Sequence, residues 1–228
     1  VSPEESLKRF TLHPDLQIEL VAAEPLVLDP IMIDWSPDGR MWVCEMADYP
    51  TGKFGGMEPC GRVRVLTDED GDGKYDSSKI FLDGINFPTS IKVWRDGVLV
   101  TSAPNLFFGR DRNGDGVADE VTDLYVGFEA GNPQHRVNGL QWSLDNTLAL
   151  ANGYAPGTAK SIKTGKTVSL AGRDIFIQPD TGEIFPEMGL TQYIRSRDDW
   201  GLWYGNNNVN PLWTYPIEDR YLQRNPRV

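Results

Sequence analysis

The stretch Ile31-Met32-Ile33-Asp34-Trp35-Ser36-Pro37-Asp38-Gly39-Arg40-Met41-Trp42-Val43 decides the fold. Ile31, Ile33 and Trp35 alternate, Pro37-Asp38-Gly39 turns, and Met41 and Val43 return. Alternating apolar residues on both sides of an Asp-Gly turn are a strong short-range hairpin signal. The plan recurs at Ile91, Val93, Asp96-Gly97, Val98 and Val100, and again at Leu140, Trp142, Asp145-Asn146, Leu148 and Leu150. A weaker copy runs through Tyr193, Asp198-Asp199, Leu202 and Tyr204. The period is about 50 residues.

A second hairpin series lies between copies of the first. Val63 and Val65 lead into an Asp-rich turn and Ile80 and Leu82 return; Leu106 and Phe108 lead into a similar turn before Val121, Leu124 and Val126. Ile175 and Ile177 lead into Pro179-Asp180-Thr181-Gly182, and Ile184 returns. Two hairpins per period give a four-stranded unit, the sequence sign of a β-propeller blade. A sandwich or barrel would need both series to share their spacing by accident. The expected fold is all-β: a propeller of four-stranded blades at about 31–83, 88–127, 137–186 and 190–228, behind residues 1–30. Propellers close with about four to eight blades. The weak last copy therefore suggests about four blades of a larger propeller, with an exposed sheet edge where it stops; six blades is the expected total. In the lead-in, Ser2-Pro3-Glu4-Glu5 is a capping box opening a helix to about Phe10, and Leu16, Ile18 and Leu20 alternate as a strand.

The 228 residues include 33 acidic and 22 basic side chains, a net charge of −11. With 39% apolar and 24% charged residues, the chain has globular rather than disordered composition. The acidic balance argues against nucleic acid and anionic lipid as partners. No apolar run approaches the ~20 residues of a transmembrane helix. The first residues show no basic-then-apolar signal segment, so the expectation is either a cytoplasmic chain or one whose leader has been removed. Cys44 and Cys60 allow one disulfide, worth about 3 kcal/mol for such a loop, or two free buried thiols.

Nine of the acids lie in or beside two loops, Asp68-Glu69-Asp70-Gly71-Asp72-Gly73-Lys74-Tyr75-Asp76 and Asp111-Arg112-Asn113-Gly114-Asp115-Gly116-Val117-Ala118-Asp119. With those nine acids set aside, 24 acidic side chains remain against 22 basic ones, nearly a balance. Both place oxygen side chains at positions 1, 3, 5 and 9 and Gly at 6, as an EF-hand loop does, with the Lys74 and Val117 carbonyls at position 7. These are the candidate Ca²⁺ ligands: Asp68, Asp70, Asp72, Lys74 and Asp76; and Asp111, Asn113, Asp115, Val117 and Asp119. Position 12, a bidentate Glu in EF-hands, is Lys79 or Thr122 here, so Asp76 and Asp119 would substitute. The alternative is a polar turn with no ion, since Asp, Asn and Gly are ordinary turn residues. The third repeat uses plain Asp180-Thr181-Gly182.

Propeller topology puts both series of tight turns on one face and the longer connections on the other. The second face holds His135 and Arg136, the Asn206-Asn207-Asn208 run, and a Gly153–Gly172 loop whose Lys160, Lys163 and Lys166 could clamp an anion. His135 is the candidate general base, and Arg136, Asn138, Asn206 and Asn208 could orient a polar ligand. His13 is a surface or packing residue.

Asp34-Trp35-Ser36-Pro37-Asp38-Gly39-Arg40-Met41-Trp42-Val43-Cys44-Glu45-Met46 resembles the first blade of a planctomycete and verrucomicrobial family of membrane-bound dehydrogenases. Phe81-Leu82-Asp83-Gly84 with Phe87-Pro88-Thr89, Gln134-His135-Arg136-Val137-Asn138-Gly139-Leu140 and Asp198-Asp199-Trp200-Gly201 carry the same resemblance. So do Asn206-Asn207-Asn208 through Asn210-Pro211-Leu212-Trp213, and Glu218-Asp219-Arg220-Tyr221-Leu222 with Arg224-Asn225-Pro226. That family's propeller is similar to soluble quinoprotein glucose and sorbosone dehydrogenases, which use pyrroloquinoline quinone (PQQ) and Ca²⁺. The resemblance implies a sugar or alcohol substrate, His135 taking its hydroxyl proton while hydride passes to the quinone, and Arg136 and Asn138 touching cofactor or substrate. It further implies a periplasmic or exported protein whose electrons pass to a c-type cytochrome domain outside this chain, because Cys44 and Cys60 fit no haem motif. The competing expectations are a non-catalytic, calcium-stabilised propeller that binds glycan or protein, and a structural fragment without independent activity.

Overall fold

The computed structural model describes residues 1–52, 55, 56, 58–225 and 227. The first element is α1 (Pro3–Leu7). The Ser2 hydroxyl accepts from the Glu5 N–H, and the Glu5 carboxylate accepts from the Ser2 N–H, each at 3.2 Å. No residue of α1 is buried. With no packing to extend it, α1 stops short of Phe10.

Residues 16–20 form no strand, contrary to the alternation of Leu16, Ile18 and Leu20. Alternation gives a strand only where a neighbour completes the ladder, and this segment has none; Leu16 and Ile18 stay exposed. The following residues Ala22, Leu26 and Val27 instead pack on Met41, Val43 and Leu66.

Four antiparallel strands make the first sheet: β1 (Pro30–Trp35), β2 (Met41–Glu45), β3 (Gly61–Thr67) and β4 (Ser77–Ile85), in that order. The β1–β2 turn closes with Ser36 N–H on the Arg40 carbonyl at 3.1 Å, and Gly39 takes φ +86° there. The second sheet is β5 (Ser90–Trp94), β6 (Gly97–Ser102), β7 (Asn105–Arg110) and β8 (Glu120–Val126).

In the third sheet β9 (Asn138–Trp142) and β10 (Leu148–Ala151) are followed by an extra hairpin, β11 (Thr158–Ser161) and β12 (Thr167–Ser169), before β13 (Arg173–Gln178) and β14 (Glu183–Met188). The hairpin leaves its own sheet and pairs β11 with β8, the outer strand of the second sheet. This corrects the reading of residues 153–172 as a lysine-bearing mouth loop. Ala159, Ser161, Val168 and Leu170 alternate inward, and the open edge of β8 gives them a ladder. Lys163 donates to the Asp180 carbonyl at 2.6 Å and Lys166 lies 3.1 Å from Glu183, both at the tight-turn end. The last sheet has three strands, β15 (Ser196–Arg197), β16 (Trp203–Gly205) and β17 (Trp213–Tyr215), and is followed by α2 (Asp219–Leu222).

The first strands of successive sheets are neighbours, β1 beside β5 and β5 beside β9. The second strands β2, β6 and β10 are buried along their whole length. One apolar cluster, with Trp42, Val63, Phe81, Ile91, Val98 and Val100, joins the first and second sheets. Another, with Leu99, Leu106, Leu140, Leu148, Leu150 and Ile175, joins the second and third. Each such side chain contributes about 1.5–3 kcal/mol of burial. The fold is all-β and propeller-like. Cys44 and Cys60 are free and buried, so of the two cysteine readings the structure carries the pair of thiols. Burial raises the Cys44 thiol far above its ordinary range.

Candidate functional site

The two ends of the sheets differ in chemistry. At the tight-turn end, Asp68 accepts from Gly71 N–H (2.7 Å) and Gly73 N–H (2.9 Å), and Asp76 accepts from Glu69 N–H (2.8 Å). One oxygen each from Asp68, Asp70 and Asp76 lies within 4.8 Å of the others, so these three could hold a cation. Asp72 accepts from Lys74 N–H at 2.8 Å.

The second loop repeats the fold of the first: Asp111 accepts from Gly114 and Gly116 N–H, both 2.7 Å, and Asp119 accepts from Arg112 N–H at 3.2 Å. The Gly116 N–H, as the first cause, holds Asp111 below the usual carboxylate range. Asn113 replaces one carboxylate and accepts from Asp115 N–H (2.8 Å). The Asp115 side chain accepts from Val117 N–H (2.8 Å), while the Lys79 ammonium donates to the Asp115 carbonyl. A cation from the first sheet thus already reaches the second loop.

At the opposite end the first strands begin around a cavity of about 530 Å³, lined by Ile31, Met46, Tyr49, Thr89, Gln134, Arg136 and Tyr193 among others. Remote segments build it. Gln134 donates to the Tyr49 hydroxyl at 2.5 Å, and the Tyr193 hydroxyl donates to the Ile31 carbonyl at 2.8 Å. Thr89 donates to the Val137 carbonyl at 2.6 Å. Phe87 N–H donates to buried Asp48 at 2.6 Å. Phe87 (φ +46°), Tyr154 (+63°), Ile194 (+52°) and Asp29 (+46°) all take left-handed backbone at this end. Such geometry is uncommon outside Gly and is an outlier for a β-branched residue such as Ile194.

Arg136 is 4% exposed. Its guanidinium lies 4.8 Å from the centre of the Phe87 ring and donates through Nη2 to the Ala130 carbonyl at 2.6 Å. Burial lowers its pKa, and Asp48 and Glu129 only partly offset this. Asn138 also lines the cavity, but its amide is used up: Nδ2 donates to the Arg136 and Gln192 carbonyls, both 2.9 Å, and Oδ1 accepts from Ile194 N–H at 2.8 Å. It joins the third sheet to the fourth. Asn206 donates to the Tyr193 carbonyl at 2.6 Å, and Asn208 is exposed, its N–H bound to Gln192 at 3.1 Å. His135 is half-buried on the cavity's loop but does not line the cavity; its ring centre is 5.9 Å from that of Tyr154, whose hydroxyl accepts from Asn207 at 2.5 Å. The structure therefore brings Arg136 and Asn138 together and leaves His135, Asn206 and Asn208 outside. His13 is exposed beside Asp15.

PQQ would bring three carboxylates to this mouth. Among the described lining residues Arg136 is the one cation, and Asp29 adds a negative charge. That donor set does not fit a tricarboxylate cofactor.

Sequence reasoning passed over Tyr49, Asp48 and Tyr193 as site residues, and did not see the buried junction of the third and fourth sheets. There Asp174 accepts from Asn152 N–H (2.9 Å), Thr191 N–H (3.0 Å) and the Thr191 hydroxyl (2.6 Å). Arg195, 1% exposed, stands 3.4 Å from Asp174 and is ringed by Phe176, Trp203 and Tyr215. Burial raises Asp174 and lowers Arg195. Phe87-Pro88-Thr89, part of the family resemblance, was a signal for Asp48, which takes the Phe87 N–H; Asp174 and Arg195 are paired across sheets and carry no local pattern.

No curated protein matches this chain. A solved structure titled "Crystal structure of Nidogen/Laminin Complex" is similar at 9% identity and a TM-score of 0.28, over 66% of this chain and 83% of that one. A score that low carries no argument. A family model described as a domain of unknown function, DUF7133, matches residues 2–228. The chain belongs to the DUF7133 family.

Proposed function

We propose that this propeller-like array is a binding module whose mouth takes a sugar or similar polyol. The observation that carries the reading is the lining of the 530 Å³ cavity: half-exposed Tyr49 and Tyr193, with Ile31 and Met46, beside the polar Gln134, Thr89 and Arg136. Aromatic and aliphatic walls suit the C–H faces of a pyranose, and a few fixed amide and hydroxyl groups suit its hydroxyls. The test is a saturation-transfer NMR screen of common mono- and disaccharides. The expected result is a saturable signal that weakens at least about tenfold in Tyr49→Ala and Tyr193→Ala. Failure of every sugar to bind, or binding unchanged in both variants, overturns the reading.

Oxidation of the bound hydroxyl is the second reading. It is favoured by His135 standing on the loop that walls the cavity, one residue from Gln134. Reduction of an added two-electron acceptor dye that depends on sugar and is lost in His135→Ala supports it; binding without turnover removes it. A periplasmic setting, with a c-type cytochrome domain as electron acceptor, belongs to this reading. In either case Ca²⁺ on the first Asp-rich loop would be structural, at the far end from the mouth.

A further inference from the structure

Arg136 presents an unresolved chemistry. It is 96% removed from solvent, yet it lines the mouth cavity, and its Nε and Nη1 groups have no hydrogen-bond partner among the described residues. A guanidinium stripped of water and left with free donors is costly unless an acceptor arrives. The neighbouring Asp48 does not serve. Its Oδ2 takes the Phe87 N–H, its Oδ1 is itself buried without a partner, and no ion pair joins it to Arg136. The Ala130 carbonyl occupies only Nη2.

We infer that the mouth's ligand is an acidic sugar, and that Arg136 seats its carboxylate at the floor of the cavity. This rests on the sugar-binding reading above and narrows it. A charged acceptor is the strong partner for a guanidinium; the buried, unpartnered Nε and Nη1 would supply the donors once the side chain turns toward the ligand. The surroundings limit the charge to one. Asp29 lines the same cavity, Asp48 lies behind Phe87, and Glu129 is nearby, so a dianion would meet three carboxylates and one cation. That selects a uronate over a sugar phosphate. The walls of Tyr49 and Tyr193 remain for the ring.

The test compares glucuronate and galacturonate with glucose, galactose and glucose 6-phosphate by titration calorimetry on the whole chain. The expected result is a uronate preference of about tenfold or more over the neutral sugar, weakening with salt. In Arg136→Gln uronate affinity should fall to that of the neutral sugar for the same variant, so that the preference vanishes, and the preference should return in part in Arg136→Lys. Equal affinity for uronate and neutral sugar, or a preference unchanged in Arg136→Gln, overturns the inference and leaves sugar binding standing. Tighter binding of glucose 6-phosphate overturns the single-charge argument. No binding of any sugar overturns both readings. If Arg136→Gln does not fold, Asp29→Asn at the exposed rim decides: the ratio of uronate to glucose affinity should rise several-fold, and an equal change in both overturns the inference.

Discussion

The two ends of this molecule are held together by different kinds of contact. At the tight-turn end the loops themselves close by local hydrogen bonds: Asp68 accepts from Gly71 and Gly73, three and five residues on, and Asp38 from Arg40, two residues on; Lys79 to Asp115 and Arg95 to Asp180 then tie one turn to another. At the mouth they span the chain: Phe87 to Asp48 across 39 residues, Gln134 to Tyr49 across 85, Tyr193 to Ile31 across 162. Local contacts close short loops at little entropy cost, whereas the mouth exists only when every sheet is in place. Each loop of the turn end can close within its own hairpin. The mouth reports the completed fold, and its strained residues and orphaned polar groups are tolerated because the packed sheets impose them.

The largest expected effect comes from Asp174→Ala at the buried junction behind the mouth. It strands Arg195 and removes three accepted hydrogen bonds, so the loss should be about 3–5 kcal/mol by urea unfolding. A loss no larger than that of a turn-end carboxylate would break the contrast.

The second effect is at the turn end. Saturating Ca²⁺, about a hundredfold over Kd, should stabilise the chain by about 2.7 kcal/mol relative to a chelator. Asp70→Asn should abolish that gain and Asp115→Asn should leave it, because the Lys79 ammonium already serves the second loop. A gain that vanishes in Asp115→Asn alone would reverse the ranking of the loops.

Tyr193→Phe deletes one bond between remote segments and should cost about 1 kcal/mol. Hydrogen exchange should then speed up on both the Ile31 and Ile194 sides. Exchange confined to one side would mean that the bond does not couple them.

The smallest effect is in the pH dependence, and the two ends have opposite signs. Hydrogen bonds from Arg40 and Ser36 pull Asp38 down to about 2. Its contribution is present above the ordinary carboxylate value and is lost as pH falls through about 2. Half-exposed as it is, it should supply no more than about 0.5 kcal/mol. Burial raises Asp174, so its contribution is present at low pH and is lost as pH rises through the raised value. Asp38→Asn should flatten only the acid limb of the stability profile.

The hairpins around Asp38-Gly39, Asp96-Gly97 and Asp145-Asn146 were legible because the apolar alternation and the turn residues lie within a dozen positions of one another. The Asp-rich loops were legible for the same reason. The extra hairpin β11–β12 was not. Residues 153–172 show no strong alternation, and what makes them strands is the free edge of β8, more than thirty residues earlier. Leu16–Leu20 failed the other way, with a strand pattern and no edge to join.

The sequence by itself determined the repeat, the turn chemistry and the concentration of acid at one end, because each depends on neighbours along the chain. Only the tertiary structure decided which groups face one another at the other end. It spent the Asn138 amide on a sheet junction, set His135 beside Tyr154 outside the cavity, and left Arg136 buried with free donors. Those outcomes depend on how separate sheets pack, and no local pattern encodes the distance between Tyr49 and Gln134 or between Ile31 and Tyr193.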